Sequence, residues 1–100
     1  MALELHVRGE IAYGYLSEFI EAAEVWRAYR LERGWAVPRI LHALSGPMNL
    51  VVMVFRYPDA NRLELEEAES AADSTYAEIA ENLGFREPTL VHELFRITTD

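Results

Sequence analysis

Arg39 to Tyr57 reads RILHALSGPMNLVVMVFRY. Two apolar runs flank Ser45, Gly46, Pro47 and Met48, residue types that favour a tight turn, so the stretch predicts a β-hairpin. Its second arm, Leu50 to Phe55, is apolar at every position, which is the pattern of a strand covered on both faces. One layer of helices covers only one face of a sheet. Something further is therefore expected to cover the other.

Upstream of the hairpin, Leu3 to Arg8 alternates Leu3, Leu5 and Val7 with Glu4, His6 and Arg8, the period of a half-buried strand. A helix follows. Ser17 is its expected cap, Glu18 and Glu21 load its first turn with negative charge, and Leu16, Phe19, Ile20, Ala23 and Trp26 recur at helical spacing as its buried stripe. Arg27, Arg30 and Arg33 fall toward the C-terminal end, where cations suit the helix dipole, and Gly34 is the expected C-cap. Trp35 to Leu44 then reads as the first arm of the hairpin. Pro38 near its start places it at the sheet edge.

Downstream, Pro58 and Asp59 end the second arm, and Asn61 with Glu64 resembles a capping pair opening another helix. Leu65, Ala68, Ala72, Tyr76, Ile79 and Leu83 keep a helical period. Asp73 and Ser74 interrupt it with short side chains that compete for backbone hydrogen bonds, which predicts a kink or restart. Glu66, Glu67, Glu69, Glu78 and Glu81 are assigned to the solvated face, or to contact with a basic partner. Gly84 closes the helix, Pro88 introduces a last strand from Thr89 to Ile97, and Thr98 to Asp100 is expected to be loose.

A chain of 100 residues, 51% of them hydrophobic, suits one compact domain over residues 1–100. No stretch approaches the roughly 20 apolar residues of a membrane span. MALELHVRGE at the start lacks a basic-then-apolar leader pattern, so a cytoplasmic location without membrane attachment is expected. Cysteine is absent and all nine basic residues are arginine. Disulfides, thiolate nucleophiles, cysteine-held metals, Schiff-base lysines and P-loop lysines are excluded together, and no cofactor is expected. A net charge of -8 repels phosphate backbones, so nucleic acid is not an expected partner.

The order β-α-β-β-α-β, with helices on one face of a four-stranded antiparallel sheet, is the ferredoxin-like α+β arrangement. Together with the doubly apolar strand it resembles the dimeric α+β barrel superfamily, in which two such sheets pack face to face. Within that superfamily the chain most resembles NIPSNAP-type domains. The resemblance is carried by Gly46, Asn49 and the apolar strand after it, by Tyr57 and Arg62, and by the restart near Asp73, with Tyr76 where the pattern often has tryptophan. It implies a homodimer more firmly than an activity, and it brings no established catalytic set. Superfamily relatives include cofactor-independent monooxygenases of the antibiotic-biosynthesis type and haem-degrading enzymes, with ligands held between sheet and helices. A cavity for a small apolar molecule is thus implied, with a cofactor-independent monooxygenase or isomerase as the alternative.

All three histidines fall on predicted strands. The first and last strands are neighbours in this arrangement, so His6 and His92 can approach each other, while His42 belongs to the far edge. Their spacing matches no metal site. Proton transfer by His6 or His92 is the catalytic option, with Glu93 as a further candidate if it points inward, and a structural histidine at a subunit interface is the plainer one. Arg8, Arg56 and Arg96 lie near strand ends, where they pair with a ligand carboxylate or with Glu4, Glu10 and Glu93. Trp26, Tyr29, Trp35, Phe55 and Tyr57 either line a ligand pocket with Arg56 and Arg96 or simply fill the core. No serine is placed for nucleophilic catalysis. A one-residue slip would exchange His42 for Leu41 and His92 for Val91 or Glu93, so which of these face inward stays open at this point.

Overall fold

The computed structural model describes residues 1–100. Its elements are β1 (Leu3–Glu10), α1 (Leu16–Glu32), β2 (Arg39–His42), β3 (Leu50–Tyr57), α2 (Ala60–Ala71), α3 (Ser74–Glu81) and β4 (Val91–Arg96), with a 3-10 turn at Glu87–Thr89 before β4. The strands form one sheet in the order β2-β3-β1-β4, every neighbouring pair antiparallel. This is the ferredoxin-like arrangement, with β2 at one edge and β1 beside β4.

Strand pairing sorts the side chains by face. Leu5 and Val7 of β1 lie opposite Phe55 and Met53 of β3 on the helix side. There Val7, Val51, Met53, Phe55 and Tyr57 join Phe19, Ala23 and Trp26 of α1, with Ile11, Leu63 and Leu83, in the core. The opposite face carries Glu4, His6 and Arg8 of β1, Val52, Val54 and Arg56 of β3, and Val91, Glu93 and Phe95 of β4. No helix covers it. Leu41 of β2 and Val91 and Phe95 of β4 on that face are 48%, 42% and 44% exposed, whereas Val54 of the central β3 is only 7% exposed, so side chains of the neighbouring strands give β3 part of its second cover and the apolar side chains on β2 and β4 are left open.

Several boundaries differ from the sequence reading, each for a local reason. β2 is only four residues long, and Trp35 is not in it. The Trp35 amide donates to Arg30 O at 2.9 Å, the Ala36 amide to Glu66 Oε1 at 2.9 Å, and Ala36 O accepts from Arg30 Nε at 2.6 Å. Backbone groups so engaged are not free for a sheet ladder. Pro38, lacking an N–H, lies buried just before the strand. Ser17 is not the cap of α1, which begins after Tyr15 with no side-chain cap. Asp59 rather than Asn61 caps α2, accepting from the Arg62 amide at 2.8 Å, because its short carboxylate already reaches the third amide of the helix. Ile20 of the expected stripe is half exposed. The Ile97 amide donates to Ala2 O, carrying the pairing with β1 one residue past β4, and in the tail beyond it Asp100 pairs with Arg56.

The restart does occur. Asp73 caps α3, accepting from the Tyr76 amide at 3.0 Å. Gly84 ends the segment at φ +73°, where a Cβ would stand 2.6 Å from the Tyr15 ring; only glycine fits both the backbone and the space. Tyr15 in turn donates to Asn82 O at 2.9 Å.

Candidate functional site

Both ends of α3 are tied to α1. At its start, Asp73 accepts from Arg33 at 2.7 Å and from the Tyr29 hydroxyl at 2.7 Å. At its end, Tyr15 holds the Asn82 carbonyl and packs on Gly84. Held beside α1, α3 does not reach over β4. The helix-side residue Leu94 stays 53% exposed, and a cleft of about 560 Å³ opens between the sheet and α3. Val7, Met53 and Leu90 supply apolar wall on the sheet side, Ala77, Ala80 and Leu83 on the other, with Trp26, Tyr76 and Phe85 as aromatic surface. Its ionisable residues, apart from the Tyr76 hydroxyl, are Glu81, Glu87 and His92.

The three histidines separate. His92 lies opposite Val7 and faces the cleft, whereas His6 lies opposite Glu93 and faces the open side. His6 and His92 therefore do not meet: their strands are neighbours, but their pairing is offset by one residue and the sheet lies between them. His6 bonds Glu4 Oε1 at 2.7 Å and packs its ring 4.8 Å from Phe95. Glu93 stands 3.9 Å from Arg8, both half exposed, so it points outward. His42 bonds Met48 O at 2.6 Å across the hairpin loop.

Trp26, Tyr29, Trp35, Phe55 and Tyr57 gather on the helix side, but Arg30 occupies the space among most of them. Its guanidinium lies 5.5 Å from the Trp26 ring, 5.7 Å from Trp35 and 4.9 Å from Phe55. Arg30 is buried, pairs with buried Glu66 at 3.4 Å and donates to Tyr76 at 2.8 Å. Arg30 does lie in the last turn of α1, but buried, and Glu66, expected on a solvated face, is buried with it. Glu66 also accepts from Arg62 at 3.2 Å, so its carboxylate is satisfied on both oxygens. Glu69, likewise assigned to solvent, accepts from the Trp35 indole at 3.1 Å. Burial pushes the Tyr57 hydroxyl far above its ordinary range, keeping it neutral. Arg56 lies on the opposite face from these aromatics, and Arg96 pairs across from Leu3 at the β4 end. Of the expected pocket, only Trp26 borders the large cleft. The remaining walls, chiefly Ala77, Ala80 and Leu83, continue the α3 periodicity through Tyr76 that reads in sequence as core.

Asp73 fixes α3 electrostatically as well as by capping. The Arg33 guanidinium, the Tyr76 amide and the Tyr29 hydroxyl hold its carboxyl down at about 2. Because the folded value lies below the ordinary one, this stabilisation is complete above about pH 4 and is lost as pH falls toward about 2. Asp73→Asn retains a capping oxygen but not the charge. The variant is expected to melt below the parent at pH 7, and the difference to close as the pH is lowered through that window; a pH-independent difference in thermal unfolding would contradict the assignment.

The fold and cleft define a ferredoxin-like α+β protein with one face of its sheet open and a mostly apolar cavity under its helices. Solved structures show the same fold. A NIPSNAP family protein from Agrobacterium tumefaciens superposes with a TM-score of 0.76 at 13% identity, over 96% of this chain and 92% of that one. An uncharacterized NIPSNAP domain protein from Burkholderia xenovorans gives 0.68 at 22% identity, over 95% and 90%. SnoaB, a cofactor-independent oxygenase from Streptomyces nogalater, gives 0.71 at 16% identity, over 99% and 95%. The chain thus has a NIPSNAP-like fold, as the sequence resemblance implied. No family model matches the sequence and no curated protein matches it significantly. No helix is long and apolar enough to cross a membrane.

Proposed function

We propose that the protein is a homodimeric, NIPSNAP-like α+β barrel protein of the cytoplasm that binds a small apolar molecule in the cleft between the sheet and α3. The observation that carries this reading is the cleft itself, about 560 Å³ with nine hydrophobic residues among the twelve that line it. A concave apolar site with a few polar groups is what small-ligand recognition requires. The homodimer rests on the open sheet face, where Leu41, Val91 and Phe95 are left half exposed. A neutral fluorescent probe, N-phenyl-1-naphthylamine, is expected to bind with a Kd in the micromolar range, corresponding to about -8 kcal/mol. Ala77 is exposed on the cleft wall, so Ala77→Trp fills the space without disturbing the core and is expected to abolish the signal at an unchanged Tm. Equal probe binding by the variant would refute the site.

A second reading is an oxygenase or isomerase that needs no cofactor, favoured by His92, which alone among the histidines borders the cleft. In that reading the imidazole takes a proton from an acidic C–H or O–H of the bound molecule. SnoaB supports it by fold, which does not by itself carry chemistry. His6 and Glu93, on the other face, would act only in the space between two subunits. Turnover unchanged in His92→Ala would remove this reading.

A further inference from the structure

Resting on the cleft reading above, we infer that the ligand class is a hydrophobic organic cation, an aryl or alkyl amine, rather than an acid. The cleft is lined by three aromatic residues, Trp26, Tyr76 and Phe85, and by two carboxylates, Glu81 and Glu87. No arginine lines it. Arg30, behind Trp26 and Tyr76, is buried and already paired with Glu66. His92 is the one basic side chain on the wall. Glu81 is the last residue of α3, so the negative end of that helix dipole adds to its charge. A cavity with low-dielectric walls and charge of one sign concentrates ligands of the opposite sign. Carboxylates beside aromatic rings suit an ammonium group carried on an apolar body, the rings attracting the cation and covering the hydrocarbon together. A carboxylate ligand would meet two like charges and no guanidinium.

The test compares three probes of nearly equal shape by calorimetry at pH 7.5: 1-naphthylmethylamine, 1-naphthalenemethanol and 1-naphthoate. The amine is expected to bind at least about tenfold tighter than the alcohol, and the carboxylate weakest. The preference for amine over alcohol is expected to collapse in Glu81→Gln/Glu87→Gln, with affinity for the alcohol preserved, and to shrink with added salt. Both glutamates are exposed, so the double variant should fold normally. Equal binding of amine and alcohol, or a preference for naphthoate, overturns the charge assignment while leaving the cleft intact as a site. Binding of none of the three overturns the cleft reading and this inference together.

Discussion

Glu66→Ala is expected to destabilise the protein by about 3–5 kcal/mol, the usual cost of leaving a buried charge without its partner. In the native fold Arg30 and Glu66 are 5% and 3% exposed. Removing the carboxylate strands the guanidinium among Trp26, Trp35 and Phe55 and takes away the acceptor of the Ala36 amide. A domain of this size has only about 5–15 kcal/mol in total, so the loss should be plain in urea unfolding. Glu66→Gln keeps an oxygen for the Ala36 amide and drops only the charge, and should lose less. Pairing Arg30→Met with Glu66→Leu should recover much of the deficit, since an apolar replacement of both members removes the uncompensated charge. A loss under about 0.5 kcal/mol in Glu66→Ala, the range of ordinary surface substitutions, would mean that the pair does not hold α1 to α2.

The second large effect concerns the open face. Leu41→Asp with Phe95→Glu should leave the melting of the protomer almost unchanged, because both side chains are about half exposed there. The same charges would be desolvated between two stacked sheets. At about 3 kcal/mol or more for unpaired interface charge, dimer dissociation should strengthen at least roughly a hundredfold. Sedimentation equilibrium at micromolar concentration should show a dimer for the parent and a monomer for the variant. A monomeric parent would contradict the homodimer, and a variant that still dimerises would place the contact elsewhere.

The topology was legible because it rests on long-period signals. The hairpin from Arg39 to Tyr57, the alternation in Leu3 to Arg8 and the helix restart at Asp73 all appear in the fold. Ends of elements were less legible, since Asp59 and Asn61 are equally good caps by composition and only three-dimensional reach separates them. The buried ion pair was missed although a trace of it was there. Arg30 continues the spacing of Phe19, Ala23 and Trp26 along one face of α1, and Glu66 follows Leu63 by three on α2. Charge argued for solvent, and spacing argued for the core. Spacing prevailed because each group supplies what the other needs. The resemblance implied a cavity between sheet and helices, but its walls were not readable, for they depend on where α3 stops short of β4, which is set by Tyr29 of α1 and by Tyr15 and Arg33 at its two ends.

The proposal that the cleft binds a ligand is tested most directly by methyl and imidazole NMR during titration with N-phenyl-1-naphthylamine. Shift changes should concentrate on Val7, Met53, Leu83 and Leu90 and on the His92 ring, which together border the cavity, and leave Leu41, Val52 and His6 on the open face unmoved. Changes confined to the open face, or none at all at saturating probe, would contradict a ligand site between the sheet and α3.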